Sequence, residues 1–357
     1  MRVCCYTSFT FAYAARALVL AETLRRAHPD WVLAAVVVDR HPAGQPLAAL
    51  LPEFDEVIGM EELGIPRVSS WLFKHDVVEA CTAVKGAMMT RLLAQGHNAV
   101  IYLDPDIAVF GPLEEAVELL ASASIVLTPH QTAPNLADKA LADHEMTSLL
   151  YGTYNLGFIA VRNDGTGRAF AAWWAARLHR ACYDAPETGI FTDQRYVDLV
   201  PGLFDGVSIL RDPGYNAASW NLSTRHVAVH GDGSIRVNGA PLRFFHFTKV
   251  GGTGTGGMGD VMLERYAGDN VEVFELLAWY KRELARHGTR PAAALPWHFG
   301  RFSNGTAVPQ AARRLYRARR DLMEHFDDPF DAGRVESFYA WLQAEQPAML
   351  GWRGHKA

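Results

Sequence analysis

The run Ala99-Val100-Ile101-Tyr102-Leu103 is apolar on both faces a strand would present, and it stops at Asp104-Pro105-Asp106. A segment of that kind needs protein on both sides, which is the environment of a parallel strand inside an α/β sheet. A second run, over 31–38, is apolar or β-branched throughout and ends the same way, on Asp39. It is preceded by an apolar run over 3–7 and an alanine-rich stretch with helical spacing over 11–27, so the chain opens as a βαβ unit. Ligands of open α/β sheets bind beyond the carboxyl ends of the strands, where these aspartates fall.

The same reading places short strands at 56–58, 124–127, 155–161, 207–210, 227–230, 234–237 and 242–247. Helices are expected over 69–95, 136–150, 166–183 and 192–199. The expected fold is α/β, with a mixed, mostly parallel central sheet flanked by helices and a C-terminal helical extension. The predicted organisation is a core over 1–250, a glycine-rich linker or lid over 251–259 and a helical region over 260–357. A chain of 357 residues suits one large core with such an appendage.

Acids and bases nearly balance, giving a net charge of −5, so nucleic acid is not an expected partner. Four cysteines, two of them adjacent in the opening strand, fit a reducing cytoplasmic setting. No leader-like segment and no apolar stretch of ~20 residues is apparent, so the chain reads as soluble. Arg313, Arg314, Arg317, Arg319 and Arg320 share a helical spacing. They form a solvated or salt-bridged basic face, or one that touches the inner surface of a membrane.

Asp104 and Asp106 flank one proline that restricts the backbone while leaving both carboxylates near one point. Hard divalent cations take oxygen ligands, and Mg²⁺ or Mn²⁺ commonly uses a few carboxylates together with phosphate oxygens. Asp and Pro are also turn formers, so the tripeptide alone fits an exposed turn equally well. His246, in Arg243-Phe244-Phe245-His246-Phe247, is either a core histidine or a third ligand. Gly252-x-Gly254-x-x-Gly257 matches the dinucleotide fingerprint formally, yet no second strand follows, which excludes a Rossmann dehydrogenase. There is no P-loop, and the first glycine is Gly44, so the early glycine loop of a sugar nucleotidyltransferase is missing.

Several blocks taken in order resemble bacterial glycosyltransferases of the GT-A fold, close to glycosyltransferase family 8. They are Cys81-Thr82-Ala83-Val84-Lys85, Val100 through Ile107, Tyr154-Asn155-Leu156-Gly157-Phe158-Ile159, Thr192-Asp193-Gln194-Arg195, Arg211-Asp212-Pro213-Gly214-Tyr215-Asn216 and Phe245-His246-Phe247. The resemblance spans roughly residues 1–250. It implies a hexosyltransferase-like enzyme in which Asp104, Asp106 and His246 coordinate Mn²⁺ or Mg²⁺. It further implies that Tyr6, Thr7 and Asp39 hold the nucleoside, that Lys85 lies near the donor, and that Asn155, Asp193 and Gln194 hold the donor sugar. Lys249, on the loop after His246, is within reach of the diphosphate, the alternative there being a plain flexible linker. A nucleotide diphosphate sugar, UDP-linked by resemblance, would give its sugar with retention to a glycan, lipid-linked or small-molecule acceptor. Residue by residue, the alternatives are a solvated charge at Lys85, a strand-start Asn at 155 and a helix N-cap at Asp193. At the level of function they are a nucleotidyltransferase and a non-catalytic sugar-nucleotide binding protein. Trp220, in a polar loop, is the preferred candidate for stacking on a sugar, while Trp173 or Trp174 is expected in the core.

Overall fold

The computed structural model describes residues 1–42, 44–250, 257–268 and 270–351. The glycine-rich segment proposed as a lid lies mostly outside the described residues; a helix, Gly257–Ala267, begins at its end.

Seven strands form the central sheet. In chain order they are β1 (Val3–Phe9), β2 (Val32–Val37), β3 (Glu56–Gly59), β4 (Ala99–Leu103), β6 (Ile125–Pro129), β7 (Tyr154–Arg162) and β8 (Val207–Ile209), with the short β5 (Ile107–Val109) lying outside it. Their spatial order is β8-β6-β7-β4-β1-β2-β3. All run parallel except β7, which is antiparallel to both of its neighbours. The chain winds outward from β1 through β2 to β3 and then returns to place β4 on the other side of β1. The topological switch point, where open α/β sheets bind their ligands, therefore lies beyond the carboxyl ends of β1 and β4.

Because β7 is reversed, its first residues lie at the edge where β4 ends. β5 continues from β4 and pairs antiparallel with β10 (Phe244–His246), which pairs in turn with β9 (Ala217–Ala218). In that register Ile107 faces His246, so His246 arrives beside Asp106.

Side-chain alternation along β1 sends Cys4 and Tyr6 to one face and Val3 and Cys5 to the other, each into its own apolar core. β1 continues two residues past its expected end at Thr7, which puts Thr7 inside the strand.

The single helical run expected over 69–95 is three helices, Val68–Phe73, Val77–Ala83 and Lys85–Ala94. The first break is imposed by Asp76, whose carboxylate accepts the Glu79 N–H at 2.8 Å while Glu79 accepts the Asp76 N–H at 2.9 Å, a reciprocal capping box. The third helix crosses Gly165–Arg180 at Gly86, where a Cβ would stand 2.6 Å from the Ala175 backbone. Only glycine permits that approach, which brings Lys85 in under the sheet.

The C-terminal region is not a separate body. Phe299, Phe302, Tyr316, Phe326, Phe330 and Phe338 lie in the same core as Trp71, Leu72 and Phe73. Trp297 Nε1 donates to the Val38 carbonyl at 3.1 Å, and the His298 N–H donates to Asp39 Oδ1 at 2.9 Å. The expected basic face is largely consumed within the chain. Arg313 is buried and donates to the Phe73, His75 and Phe299 carbonyls, and Arg317 pairs with the buried Glu79. Arg319 and Arg320 pair with Asp321 and Glu324. Among the described residues no helix is long and apolar enough to cross a membrane.

Candidate metal and donor site

The strand-to-strand turn at 104–106 is built by backbone bonds. The Asp104 N–H donates to Gly157 on β7 at 2.8 Å, and the Ile107 N–H returns to the Asp104 carbonyl at 3.1 Å. The Phe247 N–H reaches the Asp106 carbonyl at 2.9 Å, pinning the end of β10 to the same turn. Asp104 and Asp106 thus leave one corner together, and His246 meets them from the neighbouring strand. His246 Nε2 lies 3.0 Å from Asp106 Oδ1 and 3.7 Å from Asp104 Oδ2.

One ligand atom from each of the three residues lies within 4.8 Å of the others. Burial works against charge on both His246 and Asp106, yet their pairing prevails: Asp106 and then Asp104 hold the imidazole above its ordinary pKa, and His246 holds Asp106 below the usual carboxylate range. A positive charge is therefore favoured at Nε2. The donor set of two carboxylate oxygens and one imidazole nitrogen fits a divalent cation such as Mn²⁺ or Mg²⁺ in that place.

His246 can lie here because residue 157 is glycine. A Cβ at 157 would stand 2.5 Å from His246 Cε1 and 2.7 Å from Asn155 Oδ1.

Lys85 is 2% exposed, which excludes a solvated helix charge. Its ammonium lies 3.1 Å from Asp104 Oδ1 and 2.9 Å from Asp193 Oδ2, donates to the Leu156 carbonyl at 3.0 Å and sits 4.2 Å from the Tyr102 ring centroid. Burial alone would favour neutral lysine; the two carboxylates outweigh it and hold the pKa above the ordinary value. Asp193 heads a short helix, Gln194–Val197, but its side chain caps no N–H of that helix and turns to Lys85 instead. The turn is set by Thr192 at φ 43°, a left-handed conformation unusual for a β-branched residue, with its hydroxyl donating to Asp193 Oδ1 at 3.1 Å. Local strain of this kind is held in place by its surroundings, here including the Thr192 N–H bond to the Tyr183 carbonyl.

The remaining candidates fall in several places. Asn155 and Gln194 come to the same edge, Gln194 donating to the Tyr151 carbonyl and accepting the Leu156 N–H. Tyr6 is fully buried with its hydroxyl on the Lys85 carbonyl at 2.8 Å, behind the lysine and not on the cleft wall. Thr7 is buried with an unpartnered hydroxyl. Asp39 is 2% exposed; one oxygen accepts the Arg40 and His298 N–H groups and the other has no partner, and burial raises its pKa to about 6. Lys249 is exposed, at φ 56°, and the ion it influences is Asp184. Trp174 is fully buried, and Trp220 packs edge-on against His246 at 5.0 Å.

Sequence reasoning missed Tyr13, Arg16 and His130. The Tyr13 hydroxyl reaches Asp106 Oδ2 at 3.5 Å, and Arg16 lies over the Tyr13 ring, donates to the Val250 carbonyl and lowers the Asp106 pKa. His130 follows β6, whose carboxyl end lies at the same sheet edge as that of β4. The signal that exposed Asp104, a polar residue just after a buried strand, also marks His130. Glu22, Glu283 and His287 form another acid-rich group, but the Arg286 guanidinium already pairs with both of its carboxylates.

No protein-family model matches the chain. Two uncharacterized proteins of Bacillus subtilis (strain 168) are similar to it. YfnF is 31% identical over 177 residues, covering 49% of this chain and 57% of that protein, and YfnD is 28% identical over 178 residues, covering 48% and 53%. The chain thus spans about half the length of the curated relatives it matches. Among solved structures, the galactosyltransferase LgtC in complex with donor and acceptor sugar analogs is 14% identical, with 75% of this chain and 96% of that chain covered and a TM-score of 0.42. Mouse xyloside xylosyltransferase 1 is 16% identical over 69% and 97% of the two chains, with a TM-score of 0.40.

Proposed function

We propose that the protein is a metal-dependent glycosyltransferase of the GT-A kind that moves a sugar from a nucleoside diphosphate donor, UDP-linked by resemblance, to a saccharide, lipid-linked or small-molecule acceptor. The observation that carries this reading is the convergence of Asp104, Asp106 and His246 at the switch point of the sheet, with Lys85 tying Asp104 to Asp193.

In this reading Asp104, Asp106 and His246 hold the divalent cation. When bound, the cation supplies Lewis-acid stabilisation of the diphosphate leaving group. Lys85 fixes the Asp104 carboxylate and opposes the burial that raises the Asp193 pKa, favouring a carboxylate at Asp193 that would stabilise the anomeric centre as it becomes cation-like. Asp39, with one carboxylate oxygen free of partners, is the acceptor offered to the nucleoside, and the 297–298 segment encloses it. Arg16, whose charge lowers the Asp106 pKa, and Lys249, on the loop after His246, are the cations offered to the diphosphate. The resemblance implies retention of configuration.

The test is calorimetry and thermal shift with UDP, GDP, dTDP, CDP and ADP, each in Mn²⁺, Mg²⁺ or EDTA. A ligand at a hundred times its Kd stabilises the fold by about 2.7 kcal/mol, which a melting curve resolves. One diphosphate is expected to bind in a metal-dependent way, and Asp106→Ala is expected to abolish the metal dependence. Binding that ignores both the metal and Asp106 would sink the reading.

A further inference from the structure

The geometry points to His130 as a positioning residue that fixes, through Asn155, which nitrogen of His246 faces the cation site; this rests on the metal-centred reading above. Two backbone groups of fixed polarity anchor the chain of contacts. At one end the Thr153 carbonyl, which can only accept, lies 3.2 Å from His130 Nδ1. At the other the Gly157 N–H, which can only donate, lies 3.1 Å from Asn155 Oδ1.

The atoms between are then determined. His130 Nδ1 carries the proton, so Nε2 of the neutral ring accepts, and Asn155 Nδ2 stands 3.2 Å away to donate. Desolvation holds the His130 pKa below the ordinary value, in keeping with a neutral ring. Asn155 Oδ1, already oriented by Gly157, lies 3.3 Å from His246 Nδ1, which must donate to it. With Nδ1 committed to Asn155, Nε2 is the nitrogen that faces Asp106 and Asp104, donating to Asp106 Oδ1 at 3.0 Å, and it is the atom a cation would take in place of that proton. Trp220 packs in a T-shaped arrangement with both rings, 5.6 Å from His130 and 5.0 Å from His246. Asn155 thereby has a structural assignment other than the sugar contact the resemblance implies.

Outer partners of metal-bound histidines set tautomer and orientation, and their loss costs roughly 10–100-fold in metal affinity. The experiment measures Mn²⁺ affinity by calorimetry on the full chain, with far-UV circular dichroism of each variant. His130→Gln can still accept from Asn155 and donate to Thr153, whereas His130→Phe keeps the ring and its contact with Trp220 but offers no acceptor. The inference expects His130→Phe and His130→Ala to lose roughly 10–100-fold in Mn²⁺ affinity and His130→Gln to retain most of it. If His130→Phe binds like the parent, or His130→Gln is as weak as His130→Phe, the positioning role is overturned while the metal site stands. If the parent chain itself binds no Mn²⁺, the metal-centred reading fails first and the inference falls with it. Should His130→Ala not fold, the comparison of His130→Phe with His130→Gln decides alone.

Discussion

A single buried ammonium, Lys85, separates two carboxylates that would otherwise repel each other. Replacing it with Met leaves the buried Asp193 carboxyl without its counter-ion, and breaking a buried pair from one side costs about 3–5 kcal/mol. Urea unfolding of Lys85→Met is expected to show that loss, and Lys85→Met/Asp193→Asn is expected to recover part of it. Asp39 makes the opposite contribution. Its folded pKa of about 6 stands above the ordinary carboxylate value, so the native state holds a proton that the unfolded chain has released. Stability is therefore lost as pH rises through the window from about 4 to about 6, by up to about 3 kcal/mol. Thermal unfolding of the parent against Asp39→Asn between pH 4 and 7 checks the sign: the parent should fall relative to the variant as pH increases. Asp104, Asp106 and Asp39 were legible in the sequence because a polar residue ending a buried strand is a local signal. The Lys85–Asp193 pair was not, because it joins residues 108 positions apart through a helix crossing that depends on Gly86.

At the scale of elements, the strands were the most legible part, since a run buried on both faces has few other interpretations. The break in the helix over 69–95 was written locally, in Asp76-Val77-Val78-Glu79, but the alanines and apolar residues around it carry the helical period through the cap. The role of the helix Gln310–Ala318 was not visible. Its arginines share a spacing that suggests a solvated face, and only the tertiary structure turns Arg313 inward to three backbone carbonyls and over the Phe73 and Trp297 rings. Lysine cannot reproduce that planar fork of donors. Arg313→Lys is expected to lose about 2 kcal/mol or more in chemical denaturation because buried carbonyls go unsatisfied, with no change in helix content by circular dichroism.

Across the whole molecule, composition changes at residue 250 but the core does not. The aromatic residues at 299, 302, 316, 330 and 338 cover Phe73 and its neighbours. A chain ending at 250 is expected to expose that face, binding a hydrophobic dye and eluting as aggregate in size-exclusion chromatography, where the full chain elutes as a discrete species. This was unreadable from sequence because a helical tail looks the same whether it stands apart or returns to the first strands. The bond from His298 to Asp39 has a consequence in time as well as in space. On the ribosome, the carboxyl end of β2 emerges some 260 residues before the segment that encloses it. At about 5–20 residues per second, the nascent chain waits roughly 13–50 s with that wall open. The enclosure of Asp39 is therefore among the last features the newly made protein acquires, and any factor that shields nascent chains has this interval in which to act.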